Sequence, residues 1–363
     1  MSDLPFDPAA VSRLLCAWYG QAGRDLPWRR TRDPYRIWLS EIMLQQTTVV
    51  AVIPRYEHFL ATFPDVAALA AAPVETVVEA WAGLGYYSRA RNLHAAARKV
   101  MTEHGGRFPA DPAALQALPG IGRSTAGAIL SIAFDISAPI LDGNVRRVLC
   151  RLGAWQEDPR SSAAERQLWA WAEALTPAQA PHDYTQAIMD LGATVCVPRA
   201  PHCDACPLTA LCLAHRAGLE QRLPRKRAAK AVPTVIQAAL VLRRGQRILV
   251  RRRPLEGLLG GLWEFPTATV AAGSPEAAAL RLLSEAGYAG SPVSAGLVRH
   301  AYSHFRLELY VFTVALEESG RCAESEGERW VAAERLADWP LHGAHKKGWA
   351  VLASAGGSWH DGR

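Results

Sequence analysis

The sequence contains no apolar run long enough to cross a membrane. Its most alanine-rich stretch, near residue 70, is short and ends at a proline, whereas a spanning helix needs about 20 consecutive apolar residues. The N-terminal residues also lack the positive start and apolar core of a secretory signal. We therefore expect a cytoplasmic protein without a membrane partner.

Cysteine is scarce and odd in number, with seven among 363 residues. This scarcity excludes a disulfide scaffold and favours a reducing compartment. Segments repeating about every 20 to 50 residues are absent too, which excludes a solenoid. The charge is not one-sided, because 40 basic residues stand against 34 acidic ones and leave a net charge of +6. That balance permits a nucleic-acid partner without requiring one.

The composition is that of a globular protein, with 50% hydrophobic and 20% charged residues. The length of 363 residues predicts two or three domains. Residues 1–222 carry helical patterns, whereas residues 234–355 mix strands with helices. The intervening residues 223–233 contain two prolines and four basic residues, which predicts a linker. We expect a mainly α N-terminal domain and an α+β C-terminal domain.

Capping residues indicate where helices of the first half begin. Asp33-Pro34 predicts a helix that runs until Pro54, and Asp111-Pro112 opens another. Ser162 followed by Glu165 is typical of a capping box.

The second half alternates apolar and polar residues with the period of strands. Residues 235–244 and 247–250, joined by Gly245-Gln246, predict a β-hairpin. Two further strands are expected between Gly296 and Leu316, and a helix capped by Ser274 should run to about residue 284. This order of elements predicts an α+β sandwich.

Four cysteines lie at spacings that suit a metal centre, with six, two and five residues between them. They are Cys196, Cys203, Cys206 and Cys212. Four thiolates bind either zinc or a [4Fe–4S] cluster. The presence of only one Cys-x-x-Cys pair favours the cluster, because zinc ribbons usually carry two such pairs. The scattered cysteines are expected to be packing residues, namely Cys16, Cys150 and Cys322.

A glycine-rich turn lies between two helical patterns at residues 118–130. Gly120 and Gly122 allow a tight turn that points backbone N–H groups outward where the next helix begins, near Ser124. Such a site can bind an anion, here a DNA phosphate, and an ordinary corner between two helices is the alternative.

Two carboxylates are candidates for acid–base chemistry. Glu41 lies in an apolar helical stretch, where burial would raise its pKa above about 4.3 and make it a proton donor near neutral pH. A solvated glutamate is the alternative. Asp142 can cap the helix that follows it, and an ionised carboxylate there can also face developing positive charge. Such a pair suits cleavage of a glycosidic bond.

Six stretches together resemble the helix-hairpin-helix DNA glycosylases with an iron–sulfur loop, and within them the MutY family of adenine DNA glycosylases. They are LPWR at 26–29, WLSEIMLQQT at 38–47, GLGYYSRARNLH at 83–94, LPGIGRSTAGAI at 118–129, LDGNV at 141–145 and the four-cysteine loop. The resemblance covers residues from about 10 to about 350. It implies a helical catalytic domain with its helix-hairpin-helix at about 112–134, a [4Fe–4S] cluster and a Nudix-like C-terminal domain.

The resemblance implies an enzyme that flips out and hydrolyses adenine mispaired with 8-oxoguanine or guanine in double-stranded DNA. From the composition and the lack of targeting signals we expect a bacterial cytoplasmic protein associated with the nucleoid, and we expect it to be a monomer. Glu41 would protonate the adenine at N7 and then help to activate water. Asp142 would stabilise or capture the oxocarbenium-like sugar, supported by Asn144. Five further residues match positions in the adenine pocket or the adjoining duplex: Trp28, Arg29, Leu44, Gln46 and Gln186.

By the same resemblance, Tyr86 matches a residue wedged beside the oxidised guanine. Tyr302-Ser303-His304 matches a Phe-Ser-His loop that contacts this base, with tyrosine in place of phenylalanine. Ser124 stands where the related endonuclease III carries a lysine nucleophile. Because serine cannot form a Schiff base, we expect no strong strand-cleaving lyase activity.

The C-terminal part keeps Glu285 and Gly287 of the Nudix helix but lacks its acidic cluster for magnesium. This predicts recognition without hydrolysis. Two other functions stay open on the residues alone: a DNA-damage binding module without catalysis, and a nucleotide hydrolase centred on the C-terminal domain.

Overall fold

The computed structural model of the chain describes residues 4–225, 232–302, 304–317, 324–325 and 327–354. By its internal contacts the chain divides into two compact units, Met1–Ala80 with Arg89–Ala228 and Trp81–Ser88 with Ala229–Arg363. None of the described helices is long and apolar enough to span a membrane. Ser303, Cys322 and residues 226–231 of the expected linker lie outside the described residues.

The N-terminal part of the chain is helical, as the sequence predicts. Its helices are α1 (Pro8–Ala22), α2 (Pro34–Leu44), α3 (Val49–Thr62), α4 (Val66–Ala71), α5 (Val74–Ala80), α6 (Ser88–His104), α7 (Pro112–Gln116), α8 (Arg123–Phe134), α9 (Gly143–Leu152), α10 (Ser162–Leu175), α11 (Pro181–Asp190) and α12 (Leu213–Arg216).

Aspartates begin many of these helices, because their carboxylates accept hydrogen bonds from first-turn N–H groups. Asp33 accepts from the amide of Tyr35 at 2.9 Å, and Asp111 accepts from Ala114 at 2.8 Å. In both cases a proline occupies the first helical position, as predicted. The helical pair α7 and α8 therefore forms the expected hairpin, with the glycine-rich turn between them.

The prediction that the second helix runs to Pro54 is wrong. Helix α2 ends at Leu44, and Pro54 lies inside the separate helix α3. The chain turns at Gln46, whose φ of 57° is in the left-handed region. The sequence offers no glycine or proline there, so the break carries none of the usual signals.

The predicted capping box is shifted by one residue. Ser161, rather than Ser162, caps α10 by accepting a hydrogen bond from Ala164 N at 3.1 Å. Glu165 instead accepts from the indole of Trp169 at 2.8 Å. Adjacent serines give the same composition in either register, so the pattern alone could not separate them.

Helices α1 and α8 to α11 enclose the core of the first unit. Helix α9 has apolar residues on its buried side, and α11 continues into a π-helical turn at Leu191–Val195. Their side chains share one cluster: Val11, Leu15, Val145, Val148, Leu149, Leu168, Tyr184, Ala187, Ile188 and Leu191. This packing fixes the N-terminus of α9 and the face of α11 that border the site described below.

The second unit is an α+β sandwich, as predicted. Its strands are β1 (Thr234–Arg244), β2 (Arg247–Arg252), β3 (Trp263–Glu264), β4 (Thr267–Thr269), β5 (Val293–Ala301), β6 (Arg306–Leu316) and β7 (Glu328–Ala332), and its helices are α13 (Pro275–Glu285) and α14 (Gly343–Ser354).

The strands form one mixed sheet in the order β3-β2-β1-β6-β5, with β4 pairing with β1 and β7 with β2. The predicted hairpin is present, since Arg244 pairs with Arg247 across the turn, and β1 runs parallel to β6. Because side chains alternate between the faces of a strand, Ala238, Leu240 and Leu242 pack with α13 while Ala239 and Val241 share the other core with α14.

Candidate active site

A cavity of about 380 Å³ lies within the first unit. Its wall comes from the turn before α2, from α2 itself, and from the ends of α8, α9 and α11. The sequence-predicted residues on this wall are Trp28, Arg29, Glu41, Leu44, Asp142, Asn144 and Gln186. The fold thus brings together residues separated by more than a hundred positions in the chain.

Glu41 is a half-buried side chain on the cavity wall, in the middle of α2. Burial, aided by the charge of Asp142, raises the pKa of its carboxyl to about 7. Arg29 opposes this shift because its positive charge favours the carboxylate. The structure therefore supports the predicted neutral acid near physiological pH.

Asp142 caps α9, as predicted. One carboxylate oxygen accepts a hydrogen bond from the amide of Val145 at 2.7 Å. Burial raises the pKa of Asp142, whereas hydrogen bonds from the backbone of Val145 and Asn144 and the charge of Arg147 act to lower it. Desolvation is the largest influence on both acids, but backbone hydrogen bonds and arginine charges oppose it at Asp142, whereas the charge of Arg29 opposes it at Glu41.

Asn144 is held in place by Arg147, one turn along α9. The guanidinium donates to Asn144 Oδ1 at 2.8 Å, to Gly192 O at 2.6 Å and to Cys196 O at 2.7 Å. A Cβ at position 192 would lie 2.8 Å from Asn144 Cβ. Only glycine therefore allows the π-helical turn to approach α9 this closely.

A buried ion-pair network beside the cavity was not predicted from the sequence. Asp190, at the end of α11, accepts hydrogen bonds from Arg24 Nε at 2.7 Å and from Arg29 Nη2 at 2.6 Å. Burial opposes ionisation of Asp190, but the hydrogen bonds from Arg29 and Arg24 hold its pKa below the usual range. No local motif links Asp190 to arginines about 160 positions away.

The residues expected to form the adenine pocket differ in how far they are buried. Trp28 is buried and packs edge-on against Tyr56, with ring centroids 5.3 Å apart. Gln186 is buried too, and its amide oxygen accepts a hydrogen bond from Tyr19 Oη at 3.1 Å. Gln46, by contrast, is exposed in the turn after α2 and lies off the described cavity wall.

The glycine-rich turn has the backbone that the sequence predicts. Gly120 has a φ of 78°, and a Cβ at this position would lie 3.0 Å from Asn92 Cβ. Gly122 caps α8 without a side chain and is exposed. Ser124 lies in the first turn of α8, and its Oγ accepts a hydrogen bond from the amide of Leu141 at 3.0 Å.

A second cavity, of about 470 Å³, lies within the second unit. Its wall includes Tyr86 from the segment 83–88, together with Tyr302 and His304. Tyr86 is exposed and has a φ of 47°. Tyr302 and His304, two of the three residues that match the Phe-Ser-His loop, therefore line the same cavity as Tyr86.

The four clustered cysteines line one small cavity of about 30 Å³ beside α9 and α12. Arg151 lines the same cavity, and its Nη1 donates to Cys196 Sγ at 3.2 Å. Arg151 Nη2 is buried without a hydrogen-bond partner among the described residues. Cys16 and Cys150, outside this group, pack in the core of the first unit as predicted.

The chemistry of these thiols fits a metal-containing group. Burial, aided by the neighbouring Cys196 and Cys212 and opposed by the amide of Leu208, raises the pKa of Cys206 to about 11. Burial also raises the pKa values of Cys203 and Cys212. Four thiolates therefore require a cationic centre among them. The donor set suits zinc or an iron–sulfur cluster.

Two known families each match one part of the chain. Residues 39–174 match the HhH-GPD superfamily of base excision DNA repair proteins, and residues 237–351 match the NUDIX domain. Among solved structures, a thermostable thymine-DNA glycosylase is 30% identical with a TM-score of 0.53, covering 58% of this chain and 97% of that chain.

Curated relatives extend over almost the whole sequence. Adenine DNA glycosylase of Rattus norvegicus is 38% identical over 400 residues, which span 94% of this chain and 77% of that protein. Adenine DNA glycosylase of Homo sapiens is 38% identical over 394 residues, which span 92% of this chain and 72% of that protein.

Proposed function

The chain belongs to the adenine DNA glycosylase family, and on that basis we propose that it excises adenine mispaired with 8-oxoguanine or guanine from double-stranded DNA. The observation that carries this proposal is the placement of Glu41 and Asp142 on one cavity wall. A base inside a duplex must be extruded before its glycosidic bond is accessible. The cavity volume of about 380 Å³ is within the range of small-molecule sites.

In the proposed reaction, the protonated carboxyl of Glu41 donates its proton to N7 of the extruded adenine. The bond between the sugar C1′ and the base N9 then breaks, its electron pair leaves with the base, and positive charge develops on the sugar. The Glu41 carboxylate left by this step accepts a proton from the water that adds to C1′. Its pKa of about 7 suits both roles near neutral pH.

Asp142 is proposed to act on the sugar rather than on the base. Its ionised carboxylate stabilises the oxocarbenium-like sugar or captures it transiently, because opposite charges attract strongly where water is excluded. Asn144 supports this site, and Arg147 positions it. Trp28, Arg29, Leu44 and Gln186 line the same cavity and are assigned to the pocket for the base, and Gln46 is assigned to the neighbouring duplex.

The hairpin between α7 and α8 is proposed to bind the DNA backbone. The exposed Gly122 and the first-turn N–H groups of α8 offer donors to a phosphate, and the positive end of the helix dipole favours the anion. Gly120 makes this turn possible through its left-handed backbone. Ser124 contributes its hydroxyl to the packing of the hairpin rather than a nucleophile to the reaction.

The second unit is proposed to recognise the base opposite the adenine, through Tyr86, Tyr302 and His304, together with Ser303 of the same loop. Tyr86 is exposed and shares a cavity with Tyr302 and His304, and aromatic rings of this kind can stack on or wedge between bases. Nucleotide hydrolysis is not part of the proposal, since the acidic residues of α13 are Glu276 and Glu285, at opposite ends of the helix.

The four cysteines are proposed to hold a [4Fe–4S] cluster, which supplies a structural cross-link to the loop at 196–212. The reaction needs no electrons from it. Arg151 is suitably placed to neutralise part of the charge of the thiolates. Iron and zinc analysis of the purified protein separates this proposal from a zinc centre.

The decisive experiment measures adenine release from duplexes with adenine opposite 8-oxoguanine or guanine, with alkali revealing the abasic sites. Glu41→Gln should lose base release and retain binding to the duplex, because the amide is too weak an acid to transfer a proton to the base. Glu57→Gln, on an exposed part of α3, is the matched control and should behave as the wild type. Unchanged release by Glu41→Gln would refute the assigned acid.

A further inference from the structure

The side chain of Tyr302 is fixed at the end of β5 by contacts on both sides. Its ring is half-buried between those of His300 and Phe305, with centroid distances of 4.6 Å and 4.8 Å. Its amide donates to the carbonyl of Phe305 at 2.9 Å. This hydrogen bond closes the turn on which His304 is exposed.

The hydroxyl of Tyr302 continues into a buried chain of polar groups. It lies 3.3 Å from His342 Nδ1, and His342 Nε2 lies 3.3 Å from Glu264 Oε2. Arg253 Nη1 then contacts the same carboxylate oxygen at 2.7 Å. His342 is only 4% exposed and Glu264 only 9% exposed, so water does not readily replace these partners.

Burial lowers the pKa of His342, and with a neutral imidazole one arrangement of protons satisfies this chain. The Glu264 carboxylate can only accept, so His342 must donate to it from Nε2. In a neutral imidazole the other nitrogen, Nδ1, is then an acceptor. The hydroxyl of Tyr302 is the donor beside it. A phenylalanine at position 302 would leave the buried Nδ1 atom without this donor.

A metal site is the alternative use of these groups, since ligand atoms of Glu264, His342 and His345 lie within 4.8 Å of one another. Two contacts oppose it. His345 Nδ1 already accepts a hydrogen bond from the amide of Phe265 at 3.0 Å, so its other nitrogen must carry the proton. The guanidinium of Arg253 already supplies a cation to Glu264.

We propose that Tyr302, His342 and Glu264 are positioning residues that hold the turn bearing His304 against the core of the second unit and thereby set the preference for 8-oxoguanine over guanine opposite the adenine. This inference rests on the proposed role of the turn in reading that base. It adds to that role a hydroxyl that anchors the aromatic ring.

The test uses the full chain with its metal content intact and measures the ratio of kcat/KM for adenine opposite 8-oxoguanine to that for adenine opposite guanine. Tyr302→Phe and His342→Leu should each lower this ratio by about tenfold, the effect of about 1.4 kcal/mol. The double variant should be no worse than His342→Leu alone, because both changes break the same hydrogen bond. His342→Gln, which keeps a donor and an acceptor, should recover part of the ratio.

Tyr310→Phe is the matched control, because Tyr310 packs against the other core of the unit and its hydroxyl makes no hydrogen bond that the described residues show. A purely structural role would reduce stability and slow release from both mispairs equally, leaving the ratio unchanged, and that result would overturn the proposal. Additive effects in the double variant would overturn it as well. The proposal would also be overturned if the wild type bound one further metal ion, outside the cysteine loop, that the His342→Leu variant lacked. A wild type without adenine release or without any preference would instead refute the proposed function.

Discussion

Ser124 and Leu141 are joined by a hydrogen bond from the Leu141 amide to Ser124 Oγ, 3.0 Å long. The bond ties the first turn of α8 to the residue directly before Asp142. The side chain at position 124 therefore supports the backbone from which the cap of α9 begins. A serine in this role offers no amine to the sugar.

We expect the wild-type chain to have no strong strand-cleaving lyase activity, because no amine is available at position 124 to form a Schiff base with the abasic sugar. Borohydride added during turnover should trap no covalent protein–DNA complex. Alkali should be required to break the strand after base release. A rapid elimination product captured by borohydride would contradict this assignment.

The rate of adenine release should depend on pH through both carboxylates. Glu41 must be protonated to act, so the rate should fall by about tenfold per pH unit above its pKa of about 7. Asp142 must be ionised, so the rate should also fall on the acid side, at a pH above the usual range of aspartate because burial raises its pKa. Single-turnover rates across neutral pH check both limbs. Glu57→Gln should leave the profile unchanged, and a rate that stays flat above neutral pH would contradict the role of Glu41.

Asp190→Asn should destabilise the first unit by about 3–5 kcal/mol, because it leaves the largely buried guanidinium of Arg29 without a negative partner. The side chain of Asp190 is 1% exposed and that of Arg29 is 10% exposed. Urea unfolding measures the change. Asp25→Asn is the control, since Asp25 pairs with Arg30 and both are exposed; it should leave the unfolding midpoint almost unchanged. Similar midpoints for both variants would contradict the importance of the buried network.

A chain truncated near Arg225 should retain some adenine release and lose the preference for 8-oxoguanine over guanine. The acid pair lies entirely in the part that is kept, whereas Tyr302 and His304 lie in the part removed. Parallel assays on the two mispairs give the preference of each protein. Equal preference before and after truncation would count against recognition by the second unit.

Cys203→Ser should lower the iron content and the brown colour of the purified protein, because one of four thiolate donors is lost. Thermal unfolding should shift to lower temperature, since the loop at 196–212 loses its cross-link. Cys16→Ser, away from the cysteine cavity, is the control and should retain the wild-type iron content. If the wild type contained zinc and no iron, the proposed iron–sulfur cluster would be refuted in favour of a zinc centre.

Much of the architecture could be predicted from the sequence, because its signals are local. Aspartate followed by proline marks the start of α2 and α7, and Gly245-Gln246 marks the hairpin between β1 and β2. The end of α2 could not be predicted, since the left-handed turn at Gln46 uses an ordinary residue. Helix α14 was also absent from the sequence-based prediction, and its packing on one face of the sheet is a property of the assembled unit.

In the candidate site, too, single residues could be predicted from their neighbours in the sequence, whereas contacts between distant residues could not. Glu41 and Asp142 could be singled out one by one, from the apolar helix around the first and the capping position of the second. Their presence on one wall is a consequence of how α2 and α9 pack. Asp190 and the chain from Tyr302 to Arg253 join residues far apart in sequence, so only the folded chain shows them.

Arg147 connects the side chain of Asn144 to the carbonyl of Cys196 through a single guanidinium. A displacement of the backbone at Cys196 would therefore disturb the support of Asn144 on the wall of the first cavity. If the loop holds iron, a cell starved of that element would make a glycosylase with an impaired base-removing site.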